Sequence, residues 1–250
     1  FERITDQLNL DYRHRENEFV DFDRDRLLYY MLSAEGPKIA AADVNGDGRA
    51  DFYAGGAKDA PGVLFLQTAG GGFRSSPQPA FEADRLSEDT DCLFFDADGD
   101  GDADLYVASG GNEFPTSSAA LADRLYLNDG QGRFTKSEQV LPTFRFESTG
   151  CVAAADYDGD GDLDLFVGIR LRPFLYGVPV NGYLLENDGT GRFTDRTKER
   201  APALLELGLI TDAEWIDYDG DGRSDLLLAG EWMPLRLFAN RDGRLVDETE

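Results

Sequence analysis

The chain is poor in the residues that carry most nucleophilic and acid–base chemistry. Its 250 residues include one histidine, His14, and two cysteines, Cys92 and Cys151. No Gly-x-Ser-x-Gly turn occurs, and both cysteines lie on predicted strands rather than beside a base, so the common arrangements of nucleophile and base are not indicated. We therefore expect a protein that is not an enzyme, and we interpret His14 as a surface or packing residue.

Positive charge and long apolar runs are also scarce. The chain has 24 Lys and Arg against 49 Asp and Glu, a net charge of −25. This balance disfavours nucleic acid and anionic membranes, because both require a basic face. No apolar run reaches the roughly 18 residues that a membrane span needs, so no membrane insertion is expected. The chain opens at Phe1 without a Met or a signal-peptide pattern, which indicates a processed product or a segment of a longer protein.

The two cysteines precede equivalent acidic segments at slightly different distances. Cys92 lies four residues before Asp96, whereas Cys151 lies five residues before Asp156. This offset points the two side chains to opposite faces of their strands. We predict buried free thiols, with a disulfide as the less favoured alternative.

In contrast, aspartate is concentrated in four similar nine-residue segments, here called the Asp loops. They begin at residues 43, 96, 156 and 217 and contain 17 of the 49 acidic residues. Each has Asp or Asn at positions 1, 3, 5 and 9 and Gly at positions 4 and 6. Solvated acidic turns are the simpler interpretation of one copy. Four copies in the same phase favour a bound cation, because carboxylates held this close repel one another without it.

Oxygen ligands around a hard cation predict Ca²⁺ at four sites, which would reduce the net charge from −25 to −17. An EF-hand is excluded, because it needs Glu at position 12 and flanking helices, whereas these loops have Ala54, Val107, Val167 and Leu228 there. We assign side-chain ligands at positions 1, 3, 5 and 9 and the backbone carbonyl of position 7, with the position 7 side chain facing water. The first site, with Asn at position 3, should be the weakest on charge alone. The predicted ligands are Asp43, Asn45, Asp47, Arg49 and Asp51; Asp96, Asp98, Asp100, Asp102 and Asp104; Asp156, Asp158, Asp160, Asp162 and Asp164; and Asp217, Asp219, Asp221, Arg223 and Asp225.

The segments between the Asp loops have the pattern of short strands. A run of small apolar residues enters each loop, a stronger apolar run leaves it, and a third run ends in a turn such as Asn-Asp-Gly, which favours a hairpin. A more polar outer strand then begins at Phe73, Phe134, Phe193 or Leu245. The loop starts are 53, 60 and 61 residues apart, and this period with four strands per unit predicts an all-β propeller of four-stranded antiparallel blades.

This pattern divides the chain into an N-terminal part, residues 1–36, and propeller repeats over residues 37–250. The units span about 37–80, 90–141, 150–200 and 211–250. Residues 1–10 resemble the outer-strand element at 193–197 and 245–249, and residues 11–36 predict an irregular excursion with one helical turn. Because both chain ends supply the same outer-strand element, we expect four repeats of a larger ring, or a ring closed in a less usual way.

The Asp loops and the Asn-Asp-Gly-x-Gly-Arg-Phe hairpins resemble FG-GAP/VCBS-type β-propeller repeats, the calcium-loop blades also found in the integrin α-subunit head. The resemblance covers the chain from about residue 38 to its end. Residues 36–37, 110–114 and 230–234 are more narrowly similar to bacterial secreted or surface proteins of the VCBS-repeat type, including Bacteroidetes-like ones. The resemblance implies metal ligands at positions 1, 3, 5 and 9 of each loop, and it implies a fragment, because these propellers commonly have seven blades.

Such loops saturate at extracellular calcium levels, so we expect an extracellular, cell-surface or periplasmic binding or adhesion module. Its partner, a glycan or a surface protein, is expected at the insertions 109–123 and 169–181, which lengthen the two middle units. These insertions contain Phe114, Arg170, Arg172, Phe174 and Tyr176, and the alternative is that they only cover the edge of the blades. A polysaccharide-active enzyme and a structural spacer also remain open. We interpret the acidic run Glu88, Asp89 and Asp91 as a solvated strand entrance.

Overall fold

The computed structural model describes residues 5–139, 141 and 147–249. The chain forms four antiparallel sheets, each of four strands in sequence order, so the predicted all-β architecture with four four-stranded units is confirmed. Sheet I contains β1 (Ile39–Ala42), β2 (Asp51–Ala54), β3 (Val63–Gln67) and β4 (Phe73–Ser76). Sheet II contains β5 (Asp89–Phe95), β6 (Asp104–Ser109), β7 (Arg124–Leu127) and β8 (Thr135–Lys136). Sheet III contains β9 (Ser148–Ala155), β10 (Asp164–Leu171), β11 (Gly182–Asn187) and β12 (Phe193–Asp195). Sheet IV contains β13 (Leu209–Ile216), β14 (Asp225–Glu231), β15 (Arg236–Asn240) and β16 (Leu245–Asp247).

Helices are short and lie between the sheets or before them. The α-helices are α1 (Asp21–Arg24), α2 (Pro79–Ala83) and α3 (Thr197–Arg200), and 3-10 turns occur at Thr5–Gln7, Leu32–Ala34, Ala119–Leu121 and Pro202–Leu204. None of the described helices is long and apolar enough to cross a membrane.

The Asp loops connect the first and second strands of every sheet. In each sheet the residue before the loop pairs with the Asp at position 9, as in Ala42 with Asp51 and Ala155 with Asp164. The second strand then carries the most apolar run of the unit, and β6 and most of β10 are buried along their length. The loops therefore all lie at one end of their sheets, here called the Asp-loop end.

Successive sheets pack through their first strands. β1 contacts β5, β5 contacts β9, and β9 contacts β13. Close approach depends on glycine, because a Cβ at Gly150 would lie 2.4 Å from the carbonyl oxygen of Ile210. The buried cores between the sheets contain the free thiols of Cys92 and Cys151, as predicted.

The N-terminal segment packs over the sheets. Leu28 and Leu32 join a buried cluster with Leu171 and Tyr176, and α1 is a single helical turn. Of the outer strand expected over residues 1–10, residues 1–4 lie outside the described residues. Thr5–Gln7 forms a 3-10 turn instead of a strand, because β4 already occupies the outer edge of β3.

Candidate metal centres

Each Asp loop wraps around its first aspartate. In the second loop the backbone N–H groups of Gly99 and Gly101 donate to Asp96 at 2.8 and 3.0 Å, and the third and fourth loops repeat these two bonds. The glycines at positions 4 and 6 all have a positive φ, which disfavours residues with a Cβ. They are Gly46, Gly48, Gly99, Gly101, Gly159, Gly161, Gly220 and Gly222.

The Asp at position 9 is buried and connects the loop to the hairpin turn. In the third loop, Asp164 is fully buried and accepts the N–H of Tyr157 at 3.3 Å and that of Asn187 at 2.8 Å. Asp51, Asp104 and Asp225 accept the corresponding pairs of N–H groups. A carboxylate with two bonds of this kind still has lone pairs for a cation.

The structure brings together positions 1, 3 and 9 of three loops. Carboxylate oxygens lie within 4.8 Å of one another in each of three sets: Asp96, Asp98 and Asp104; Asp156, Asp158 and Asp164; Asp217, Asp219 and Asp225. The position 5 residues Asp100, Asp160 and Asp221 lie outside these sets and accept the N–H of position 7. In the first loop Asn45 supplies an amide at position 3, so two carboxylates, Asp43 and Asp51, remain at positions 1 and 9.

The arginines at position 7 pair with their own loops while their side chains stay partly exposed, 36% for Arg49 and 40% for Arg223. The Arg49 guanidinium pairs with Asp47, and its Nε donates to the carbonyl of Gln67 at 3.1 Å. Arg223 pairs in the same way with Asp221 and with the carbonyl of Asn240. The physical reason is electrostatic, since a guanidinium beside the loop reduces repulsion among its carboxylates. In the second and third loops Asp102 and Asp162 occupy this position, and the role of the position 7 carbonyls stays a prediction.

The second and third loops carry the least compensated negative charge. Burial, acting against the backbone N–H donors, raises the pKa of Asp164 to about 7 and that of Asp104 to about 6. One carboxylate oxygen of Asp98 is buried and has no hydrogen-bond partner among residues 5–139, 141 and 147–249. In the fourth loop Arg241 donates to Asp219 at 2.7 Å, and this hydrogen bond lowers the pKa of Asp219.

The donor set therefore fits a hard cation. Asp98 offers a buried oxygen without a partner, and clustered carboxylates in this setting suit Ca²⁺. Positions 1, 3 and 9 would hold the ion, and it would supply positive charge between the loop and the hairpin turn. The geometry gives three sets of Asp residues whose spacing suits a metal ion.

Sequence reasoning missed a set of hydrogen bonds, here called the Asn ties, in which an Asn side chain of one sheet donates to the Asp loop of the preceding sheet. The side-chain amide of Asn128 in sheet II donates to the carbonyl of Val44, at position 2 of the first loop, at 2.8 Å. Asn187 and Asn240 donate likewise to Ala97 and Tyr157 of the preceding loops, at 2.9 and 2.6 Å. The sequence signal for these hydrogen bonds is an Asn at the start of each of the last three hairpin turns, at positions 128, 187 and 240.

The second group of predicted residues lies at the opposite end of the sheets, here called the insertion end. Of the aromatic and basic residues expected to be available there, Phe114 and Tyr176 are buried, whereas Phe174 is 53% exposed. Arg170 pairs with Glu35 and Glu231, and Arg172 pairs with Glu147.

The acidic run at the start of β5 is not solvated. Glu88 and Asp89 are buried, and Asp91 is half-buried. Asp89 pairs with Arg124 and accepts the Tyr53 hydroxyl at 2.6 Å. The prediction of a solvated strand entrance is wrong, because Tyr53 and Arg124 come from neighbouring strands distant in sequence.

The fold and these loops define an all-β repeat protein with an Asp-rich loop in each sheet, and three of these loops bring together carboxylates that suit a cation. A family model described as FG-GAP-like repeat matches residues 43–107 and 96–167, together half of the chain. The chain belongs to the FG-GAP-like repeat family, as its sequence predicted.

Solved structures show a more distant likeness. The Vibrio cholerae biofilm matrix protein Bap1 has 18% identity and a TM-score of 0.42, over 84% of this chain and 30% of Bap1. A putative exo-beta-1,3-galactanase from Bifidobacterium bifidum has 13% identity and a TM-score of 0.44, over 80% of this chain and 65% of that one. A Bacillus licheniformis rhamnogalacturonan lyase has 13% identity and a TM-score of 0.45, over 85% and 42%. The chain thus spans less than two thirds of each of these proteins. No curated protein matches it in sequence.

Proposed function

We propose that the chain is a calcium-stabilised extracellular binding module that recognises a neutral glycan at its insertion end. The observation that carries this proposal is a group of exposed aromatic side chains, here called the aromatic face: Tyr29, Phe174 and Trp232. They are 66%, 53% and 78% exposed. Flat exposed rings suit the apolar faces of sugar rings, and large exposed apolar groups commonly mark binding sites.

The backbone holds two of these rings in unusual positions. Phe174 and Trp232 have φ values of +70° and +60°. A positive φ is a strained state for a bulky residue, and such strain tends to persist at functional sites. Trp232 directly follows β14, and Phe174 lies in the insertion after β10. In both places a rigid sheet supports the connection.

Polar contacts beneath the rings fix their orientation. The indole N–H of Trp232 donates to the Tyr176 hydroxyl at 3.1 Å, and that hydroxyl donates to Glu231 at 2.6 Å. The rings of Tyr29 and Trp232 meet edge to face with centroids 6.3 Å apart. The guanidinium of Arg24 lies 4.3 Å from the centroid of the Phe174 ring. The net charge of −25 favours a neutral polymer over an anionic one.

We further propose that the four sheets are blades of a propeller, secreted or displayed at a cell surface or in a periplasm. The successive contacts of first strands and the Asn ties between neighbouring sheets support a radial arrangement. The repeat family and the fit of the Asp loops to calcium support the location.

Titration of the folded chain with neutral and anionic polysaccharides tests the binding function. Trp232→Ala and Tyr29→Ala should each weaken binding to a neutral polysaccharide by about tenfold, or roughly 1.4 kcal/mol. Tyr218→Ala is the matched control, because Tyr218 is a partly exposed aromatic residue at the Asp-loop end and should leave binding unchanged. Equal binding by all three variants, or binding to no polysaccharide, would reject the aromatic face. Release of shortened sugars would instead favour an enzyme.

A further inference from the structure

The N-terminal segment meets sheet II at a buried polar cluster, here called the Asn112 cluster: Glu16, Asp21, Glu88, Asn112 and Glu113. Asn17 donates to Glu113 at 2.9 Å, and Arg24 donates to the carbonyls of Asn112 and Phe114. Two parts of the chain that are distant in sequence are thus joined at the insertion end, away from the Asp loops.

Several polar atoms of this cluster are buried and have no hydrogen-bond partner among the described residues. Asn112 is fully buried, and neither its amide oxygen nor its amide nitrogen forms a hydrogen bond within the part of the chain that the structure describes. Asp21 is fully buried and Glu113 is 6% exposed. Each of them, like Glu16, has one carboxylate oxygen that is buried and unpartnered. Buried polar atoms in native proteins are nearly always satisfied by protein groups, ordered water or ions, so this concentration of acceptor oxygens is consistent with a bound cation.

The backbone leaves room for these side chains. Gly111 has a φ of +88°, and a Cβ placed on it would lie 2.3 Å from Oε2 of Glu113 and 3.4 Å from Cβ of Glu88. A larger residue at position 111 would therefore fill the space into which the Glu113 carboxylate turns.

Among the described residues, the one base paired with a carboxylate of the cluster is His14, whose Nε2 lies 2.7 Å from Oε1 of Glu16. Arg24 donates to carbonyls rather than to carboxylates, and the Lys58 ammonium lies over the Phe114 ring, 5.6 Å from its centroid. In contrast, Asp89, the residue after Glu88, is paired with Arg124.

We propose that Glu16, Asp21, Asn112 and Glu113 form a further Ca²⁺ site, distinct from the Asp loops. Carboxylate and amide oxygens are ligands that Ca²⁺ accepts with flexible geometry. The acidic side chains converge less tightly than those of the Asp loops, because their ligand atoms do not meet the 4.8 Å spacing that the described loop sets show. Binding would draw them together and would fix residues 11–36 against sheet II.

Anomalous diffraction from crystals of the wild-type chain grown with Ca²⁺ provides the direct test. We expect a calcium peak among Asp21, Asn112 and Glu113 in addition to the peaks in the Asp loops. Peaks in the Asp loops with none at this cluster would overturn the proposal, and this outcome does not depend on any variant folding.

Ion counting by mass spectrometry on the folded chain supplies an independent measurement. Glu113→Gln should bind one Ca²⁺ fewer than the wild type, and calcium should no longer protect residues 11–36 from amide hydrogen exchange. The matched control is Asp23→Asn, because Asp23 is an exposed residue of the same helix, α1, and it should keep the wild-type count. Equal counts for Glu113→Gln and the wild type would overturn the proposal.

Discussion

Replacing Asn187 with alanine should destabilise the protein by breaking one tie between two sheets. The Asn187 amide donates to the carbonyls of Ala97, in the second Asp loop, and Leu163, in the third, at 2.9 and 3.2 Å. The residue is 4% exposed, so water would not readily replace these donors. Two lost bonds and two buried acceptors left unpaired should lower the free energy of unfolding by about 2–4 kcal/mol. For a chain of this length, the melting temperature should fall by roughly 5–15 °C.

Urea denaturation at saturating calcium measures this loss, with Gln67→Ala as the matched control. Gln67 occupies the same place in sheet I, and its backbone N–H donates to Asp51 as that of Asn187 donates to Asp164. Its side-chain amide makes no hydrogen bond within the described residues, so its removal should cost less than about 0.5 kcal/mol. Equal losses for the two variants would refute the argument, because the effect would then not come from the tie between sheets.

Three further predictions concern the loops and the thiols. Asp98→Asn should weaken the tightest calcium-binding phase in titration calorimetry more than Asp219→Asn, because Arg241 already offsets the charge of Asp219; equal effects would contradict this ranking. Without calcium, stability in urea should fall as pH rises from about 5 to about 7.5, since the folded-state pKa values of Asp104 and Asp164, about 6 and about 7, exceed the unfolded value of about 4. That contribution is complete below the unfolded pKa and is lost as pH rises through the folded values, so unchanged midpoints would contradict it. Cys92 and Cys151, whose pKa burial raises, should react with a thiol reagent only after unfolding, and rapid labelling of the folded chain would show otherwise.

The Asp loops and strands could be predicted because their determinants are local. Glycines at positions 4 and 6 and aspartates at 1, 3 and 9 act within nine residues, and the apolar runs on either side alternate with turns. The hairpins likewise depend on a few neighbouring residues. The pairing of Asp164 with Ala155 is also local, because the nine-residue length of the loop determines which residues of the two strands face each other.

Features that depend on distant segments escaped prediction. Tyr53 and Arg124 bury Asp89 from 36 and 35 residues away, so the composition of its own run was misleading. The aromatic face combines Tyr29 with Trp232, and no local pattern indicates that these residues meet. The position 7 arginines turned toward their loops for a reason that spacing does not show, namely the repulsion among neighbouring carboxylates.

The Asp at position 9 gives calcium a role that extends beyond its own loop. Asp164 holds the N–H of Tyr157 and that of Asn187, and the carbonyl of Tyr157 accepts the amide of Asn240 from the next sheet. A cation at positions 1, 3 and 9 would therefore fix the position 2 residue, whose carbonyl accepts the Asn hydrogen bond from the following sheet. Losing one ion should loosen two sheets rather than one loop, because the residue whose N–H contacts the ion's ligand also accepts, at its carbonyl, the hydrogen bond between sheets. Stabilisation by successive ions should then exceed the sum of the effects of single sites.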